Sequence, residues 1–398
     1  MLDTNNRIPQ SDYDPYHDGA LPHPFPGYDM LRDMGPVVWL TKYEMYALTR
    51  YSPVRQALSD DANFVSGRGV MMNDQLNTLL VGNTLCSDGD MHTRLRKITA
   101  APMTPGALKG LQDEIRMESE GLVDRLLGDR GGRFDAVKDL AQYLPLKIVS
   151  NAVGVAEEGR ERMLEWSEAA FNCFGPANER TLRSLPVLGE MVEYASSQAV
   201  RGKLRKGSWA DAILDAADSG AVPKEAVSVL MGDYLVPSLD TTISGIVSAV
   251  WHFARSPDQW DKVRNDNALV RNAVNEVLRL EAPLQGFSRY VANDVQIDGV
   301  TIPKDSRVIC FYGAANRDPR QFENPDRFDV TRHNANMHLA FGFGTHQCLG
   351  MNLARLEIVS LLTALLSRVR RFHIRNEKRL MNNVVRAYEL LEVEVEFD

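Results

Sequence analysis

The sequence predicts a mainly α-helical fold with small β-sheets. Three observations carry that expectation. Apolar residues recur at helical spacing through most of residues 90–207 and again through 224–280. Only short stretches alternate as strands do, near the start and in the C-terminal half. The composition, 44% hydrophobic and 25% charged, suits a large buried core and excludes disordered, collagen-like and low-complexity chains.

The elements follow in order. A Pro-rich entry (Pro22, Pro24, Pro26) leads into alternation at 37–40 and 45–49, which reads as a small sheet of two strands. Helices are expected over 106–127, 140–153 and 157–171, with Phe174-Gly175-Pro176 marking the loop before the next. The longest helical pattern covers 224–255, entered after Pro223 and closed before Ser256-Pro257. Another covers 258–280 and stops at Ala282-Pro283. Strands over 296–302 and 307–312, a Pro/Asn/Arg-rich meander over 318–332 and a long helix from near Cys348 complete the chain. Without internal repeats or Gly/Ser-rich linkers, residues 1–398 read as one domain.

Charge and cysteine content narrow the functional classes. Lys+Arg 45 against Asp+Glu 53 leaves a net charge of −8, which argues against nucleic-acid binding. Cys86, Cys173, Cys310 and Cys348 show no CxxC spacing, so neither a zinc knuckle nor a disulfide scaffold is indicated. The polar N-terminus lacks a signal-peptide pattern, and the longest uncharged apolar run, 241–254, falls short of the roughly 20 residues that cross a bilayer. A reduced, cytoplasmic protein with no membrane anchor is expected.

The chemistry concentrates in Phe341-Gly-Phe-Gly-Thr-His-Gln-Cys-Leu-Gly350. Its glycines permit tight turns and close approach of backbone to a flat ligand. Cys348 stands just before a helix, where unpaired N–H groups and the positive dipole end favour a thiolate. An isolated cysteine in a turn is commonly a buried structural residue; the whole string argues otherwise.

This string resembles the cysteine loop of the cytochrome P-450 family, with Phe341, Gly344, His346, Cys348 and Gly350 matching the family pattern. The resemblance spans essentially the whole chain. It implies the cytochrome P-450 fold, with haem b (iron protoporphyrin IX) between a long oxygen-activating helix and the cysteine-loop helix. Cys348 is then the metal ligand, pushing electron density onto iron. Glu276-Val-Leu-Arg279 has the family's Glu-x-x-Arg spacing, which puts both side chains on one helix face. Arg327, in Pro325-Asp-Arg-Phe328, is expected to join Glu276 and Arg279 in a structural network. His92 and Arg96, with Arg289 and His346, resemble the family's propionate partners. Phe341 and Gly350 complete the expected cofactor contacts.

Leu235-Val-Pro-Ser-Leu-Asp-Thr-Thr242 resembles the oxygen-activating segment. Asp240 and Thr241 match its acid–alcohol pair, which relays protons and orders dioxygen or water. Pro237 and Ser238 replace the usual small residues, and Pro237 is expected to bend the helix.

Within the family the chain looks closest to soluble bacterial enzymes acting on small aromatic compounds. Candidate substrate contacts are Arg68, Phe171, Phe174, Leu235, Ser238, Leu239, Gln285 and Phe287. Phe171 and Phe174 read equally as helix-core aromatics, and Arg68 as a solvated loop residue. Gly232 and Val236 replace polar anchors of benzoate-oxidising relatives, which favours a neutral or phenolic ring. The expected reaction is hydroxylation or oxidative O-demethylation of a small aromatic substrate with O2, served by a separate ferredoxin and ferredoxin reductase, in a monomer. A peroxide-driven peroxygenase and a haem-based gas sensor or carrier are the alternatives. Arg368, Arg370, Arg371, Arg375, Lys378 and Arg379 form one basic cluster for a donor, and Arg94, Arg96 and Lys97 another.

Overall fold

The computed structural model describes residues 8–397; residues 1–7, where the N-terminal reading began, lie outside it. Helices dominate, and the β-structure is more connected than short alternating stretches suggest. Val38–Leu40 and Met45–Leu48 do pair antiparallel. They are not a separate sheet, however. They belong to six strands in the order Gln10–Ser11, Val38–Leu40, Met45–Leu48, Arg307–Phe311, Gly286–Val291, Phe64–Val65. The parallel pairing of Met45–Leu48 with Arg307–Phe311 joins segments far apart in sequence, and local alternation cannot reveal it.

The expected strand over 296–302 is a hairpin, Val295–Ile297 with Val300–Ile302. Asp298 and Gly299 both have positive φ (46° and 80°), the pattern of a two-residue hairpin turn. A third sheet orders Val369–Arg379, Tyr388–Phe397 and Arg133–Asp135.

The helix Pro105–Gly128 starts as its sequence dictates: Thr104 accepts the Ala107 N–H (3.3 Å) and Pro105 occupies the first turn. A π-helical turn, Ala136–Ala141, precedes Tyr143–Val153, and a 3₁₀ turn, Arg160–Arg162, precedes Met163–Phe174. The 258–280 pattern divides into Pro257–Asn265 and Val270–Glu281, because Asp266 turns its carboxylate onto the Ala268 N–H (3.0 Å) and a 3₁₀ turn intervenes.

The largest departure concerns 224–255. Two helices, Ala226–Leu235 and Asp240–Arg255, replace the single one expected. Pro237 lacks the N–H that would bond the Asp233 carbonyl, and the break falls at 236–239, around it. The second helix is buried on nearly every side. It passes so close to the helix Met351–Leu366 that a Cβ added at Gly245 would lie 2.9 Å from Ile358 Cδ1. Thr241 and Cys348, from the starts of these two elements, line one cavity.

Candidate active site

The cysteine loop is built by its own backbone. Cys348 N–H donates to the Phe341 carbonyl (2.8 Å), and Gln347 N–H to that of Gly344 (3.0 Å). Gly344 has φ +73°, and an added Cβ would lie 2.5 Å from the Leu58 carbonyl oxygen, so only glycine fits. An added Cβ at Gly350 would meet nothing within 4 Å, since it faces the cavity. Burial pushes the Cys348 thiol up; the Gly350 and Met351 amides and the Arg96 and Arg355 cations pull it back.

The cavity of about 340 Å³ lies between this loop and the helix pair carrying Asp233, Pro237 and Thr241. Phe341, His346, Cys348, Gly350, Arg96 and Arg289 all line it. His92 does not reach the wall; it is buried and packs on the His346 ring, with centroids 4.3 Å apart. Burial, with His346 and Arg96 nearby, pushes His92 down to about 4. Arg96 donates to the Gln347 carbonyl (2.5 Å) and Arg289 to that of Ser288 (2.8 Å).

Adjacent side chains at the start of the helix Asp240–Arg255 diverge. Thr241 faces the cavity and donates its hydroxyl to the Pro237 carbonyl (2.7 Å). Asp240 turns toward Ser167 and Glu168 on the helix Met163–Phe174. Burial pushes its carboxyl up to about 7, the Ser167 contact pulls it partly back and the Glu168 charge adds to the rise. Ser167 itself donates its hydroxyl to the Val236 carbonyl (2.8 Å).

Glu276 and Arg279 form a fully buried two-bond ion pair (2.7 and 2.9 Å). The expected third member, Arg327, is exposed and contributes only its carbonyl, to Arg332. Arg332 is the residue that reaches Glu276 (2.9 Å). A turn closed by Asp329, which accepts the Thr331 N–H and, through its carbonyl, the Arg332 N–H, folds the meander back to allow this.

Of the substrate candidates, Phe171, Phe174, Ser238 and Phe287 line the cavity. The other four do not. Arg68 is exposed and stacks over the Tyr290 ring at 4.4 Å. Leu235 and Leu239 are buried in the main core, because helical spacing gives the cavity face to Gly232, Asp233 and Val236. Gln285 folds its amide back onto the Glu281 and Ala282 carbonyls (2.9 and 2.7 Å). Sequence reasoning missed two acids that do line the cavity, Asp233 and Glu357. Asp233 is a lone charge in an apolar helical run, the signal that was available; Glu357 follows Arg355 by two residues and carried no such signal.

These residues fit a haem. His92 Nε2 is buried with no hydrogen-bond partner among the described residues, as a group awaiting an acidic ligand would be, while His346 Nε2 lies 3.6 Å from the Asp88 carboxylate. Cys348 opens into a space with room over Gly350, and two arginines border the same cavity.

Comparisons with known proteins agree. The family model described as Cytochrome P450 matches residues 187–386. The chain is 36% identical to cytochrome P450 CYP199A2 of Rhodopseudomonas palustris, over 98% of this chain and 95% of that protein. It is 32% identical to cytochrome P450 130 of Mycobacterium tuberculosis, over 89% of this chain and 90% of that one. The structure of cytochrome P450 CREJ in complex with (4-ethylphenyl) dihydrogen phosphate superposes with TM-score 0.85 at 25% identity, covering 96% of this chain and 99% of that one. The chain therefore belongs to the cytochrome P450 family, as a haem b monooxygenase.

Proposed function

We propose that this monooxygenase hydroxylates or oxidatively O-demethylates a small aromatic substrate, with electrons from a separate ferredoxin and ferredoxin reductase. The observation that carries the substrate class is the aromatic wall of the cavity. Phe171, Phe174 and Phe287 form a continuous series with centroids 6.0 and 5.2 Å apart, all lining the space over Cys348. The relative solved with (4-ethylphenyl) dihydrogen phosphate has the same fold.

When bound, haem supplies the redox chemistry that activates dioxygen. Cys348 would hold the iron, and His92, Arg96, Arg289 and His346 the propionate edge. The aromatic wall orients the ring and excludes water. Asp240 holds a proton next to Ser167, and the Thr241 hydroxyl sits in the cavity, released from Pro237 by a small rotation. Protons pass inward from the Asp240 side to Thr241 Oγ1.

Spectral titration of the holoenzyme with methoxybenzoates, guaiacols and other phenols tests the substrate class. A Soret shift with members of this panel, together with turnover that requires a ferredoxin system, supports the reading. Binding by none of them overturns it. Cys348→Ala is expected to abolish the thiolate-type carbon-monoxide spectrum.

A further inference from the structure

The cavity carries one acid on the same wall as Thr241, and the roles given above leave it unused. Asp233, Pro237 and Thr241 follow at four-residue spacing and all line the cavity. The turn at 236–239 separates Asp233, on the helix Ala226–Leu235, from Thr241, on the helix Asp240–Arg255, so the acid and the hydroxyl border the cavity from different helices.

Asp233 is held, not loose. Its Oδ2 accepts the Thr84 N–H (2.9 Å), and the Thr84 side chain lies beside the same carboxylate. Thr84 in turn contacts Thr99 (3.2 Å), which fixes the loop against the neighbouring helix. Among the described residues Thr84 is the only hydrogen-bond partner of this carboxylate. Arg96 is the cation in electrostatic reach, and the propionate edge claims it. Arg289 and His346 are committed to that edge too. Glu357, the other cavity acid, lies on the cysteine-loop helix, where burial pushes it up to about 8 and keeps it neutral.

We propose that Asp233 anchors the substrate, accepting a hydrogen bond from an O–H or N–H donor at the end of the ring remote from Thr241. The inference rests on the aromatic reading above and sharpens it: the substrate is a phenol or an arylmethyl ammonium, not an aryl carboxylate. A benzoate would place its charge against Asp233, with no free cation on this wall to compensate. A donor would instead complete a charge-assisted bond in apolar surroundings.

The test uses four ligands that share the 4-methoxyphenyl group on the holoenzyme, read by calorimetry: 4-methoxyphenol, N,N-dimethyl-4-methoxybenzylamine, 4-methoxybenzoate and 4-methoxytoluene. At least one donor ligand is expected to bind about tenfold or more tighter than 4-methoxytoluene, with 4-methoxybenzoate weakest. Preference for the phenol or for the ammonium identifies which donor the site takes. Asp233→Asn should erase the donor preference and narrow the penalty on benzoate, while 4-methoxytoluene binds within about twofold of the parent and the carbon-monoxide spectrum persists.

Equal binding of all four by the parent protein overturns the anchor while leaving the aromatic reading intact. Equal weakening of all four by Asp233→Asn assigns Asp233 to holding the Thr84 loop and also overturns it. Binding of none overturns the aromatic reading itself. The ranking on the parent protein stands as a test even if the variant does not fold.

Discussion

Asp240 and Thr241 are neighbours in sequence with separate surroundings, and separate measurements follow. Burial raises Asp240 to about 7, whereas in the unfolded chain it titrates near the ordinary 3.8. Between those values the folded chain binds the extra proton, so its stability falls as pH rises from about 4 to 7. Asp240→Asn removes that slope. Denaturant midpoints should show the variant gaining on the parent across this window by on the order of a few kcal/mol. A constant difference from pH 4 to 8 would mean that Asp240 is ionised in the fold. Thr241→Ala leaves the cavity wall intact but removes its hydroxyl. The fraction of reducing equivalents recovered in product is expected to fall by about tenfold or more, while substrate still binds. Sequence alone pointed to both residues. It did not show that one faces Ser167 and the other the cavity, because Pro237 sets the rotation of the helix start.

At the scale of elements, local pairs were legible and distant ones were not. Glu276 and Arg279 share a helix face by spacing alone, and they pair. The third residue comes from the meander, where the sequence resemblance pointed to Arg327 alone. The Asp329 turn decides for Arg332, which also donates to the carbonyls of Glu323, Asn324 and Arg327. Arg332→Ala would strip Glu276 of a buried partner and three carbonyls of their donor. A loss of about 3–5 kcal/mol is expected, with weakened haem retention. Arg327→Ala should stay within about 0.5 kcal/mol of the parent. Thermal or denaturant unfolding of the two variants compares them directly, and equal losses would refute the exchange. The same division explains the sheets. Alternation marked the strands, yet the pairing of Met45–Leu48 with Arg307–Phe311 is tertiary and left no local trace.

Across the whole molecule, charges near in sequence are sorted by what they meet. Glu281 closes the helix Val270–Glu281 and collects Arg386 (2.9 Å), His252 (3.0 Å) and Arg379 (3.4 Å), which holds it well below the usual carboxylate range. Arg386 continues to the Pro22 carbonyl, so one acid ties together an N-terminal segment, a C-terminal segment and, through His252, the helix Asp240–Arg255. The basic run after the cysteine helix is consumed in the same way. Arg368 pairs with Asp124, Arg371 with Asp261, Arg375 with Glu394, Lys378 with Glu389 and Arg379 with Glu281. The Arg94, Arg96 and Lys97 group differs. Arg94 and Lys97 are exposed on the helix Gly89–Ala100, while Arg96 reaches from the same helix to the Gln347 carbonyl beside Cys348. An acidic electron donor meeting this helix would therefore lie against the cysteine loop, with two cations to guide it. Stopped-flow reduction by a ferredoxin should slow as ionic strength rises, and Lys97→Glu with Arg94→Glu should slow it by about tenfold at low salt. Charge reversal at Arg375 and Lys378 should leave the rate near that of the parent, since those side chains already face carboxylates. A rate sensitive to Arg375 and Lys378 and indifferent to Arg94 and Lys97 would move the docking face to the C-terminal sheet.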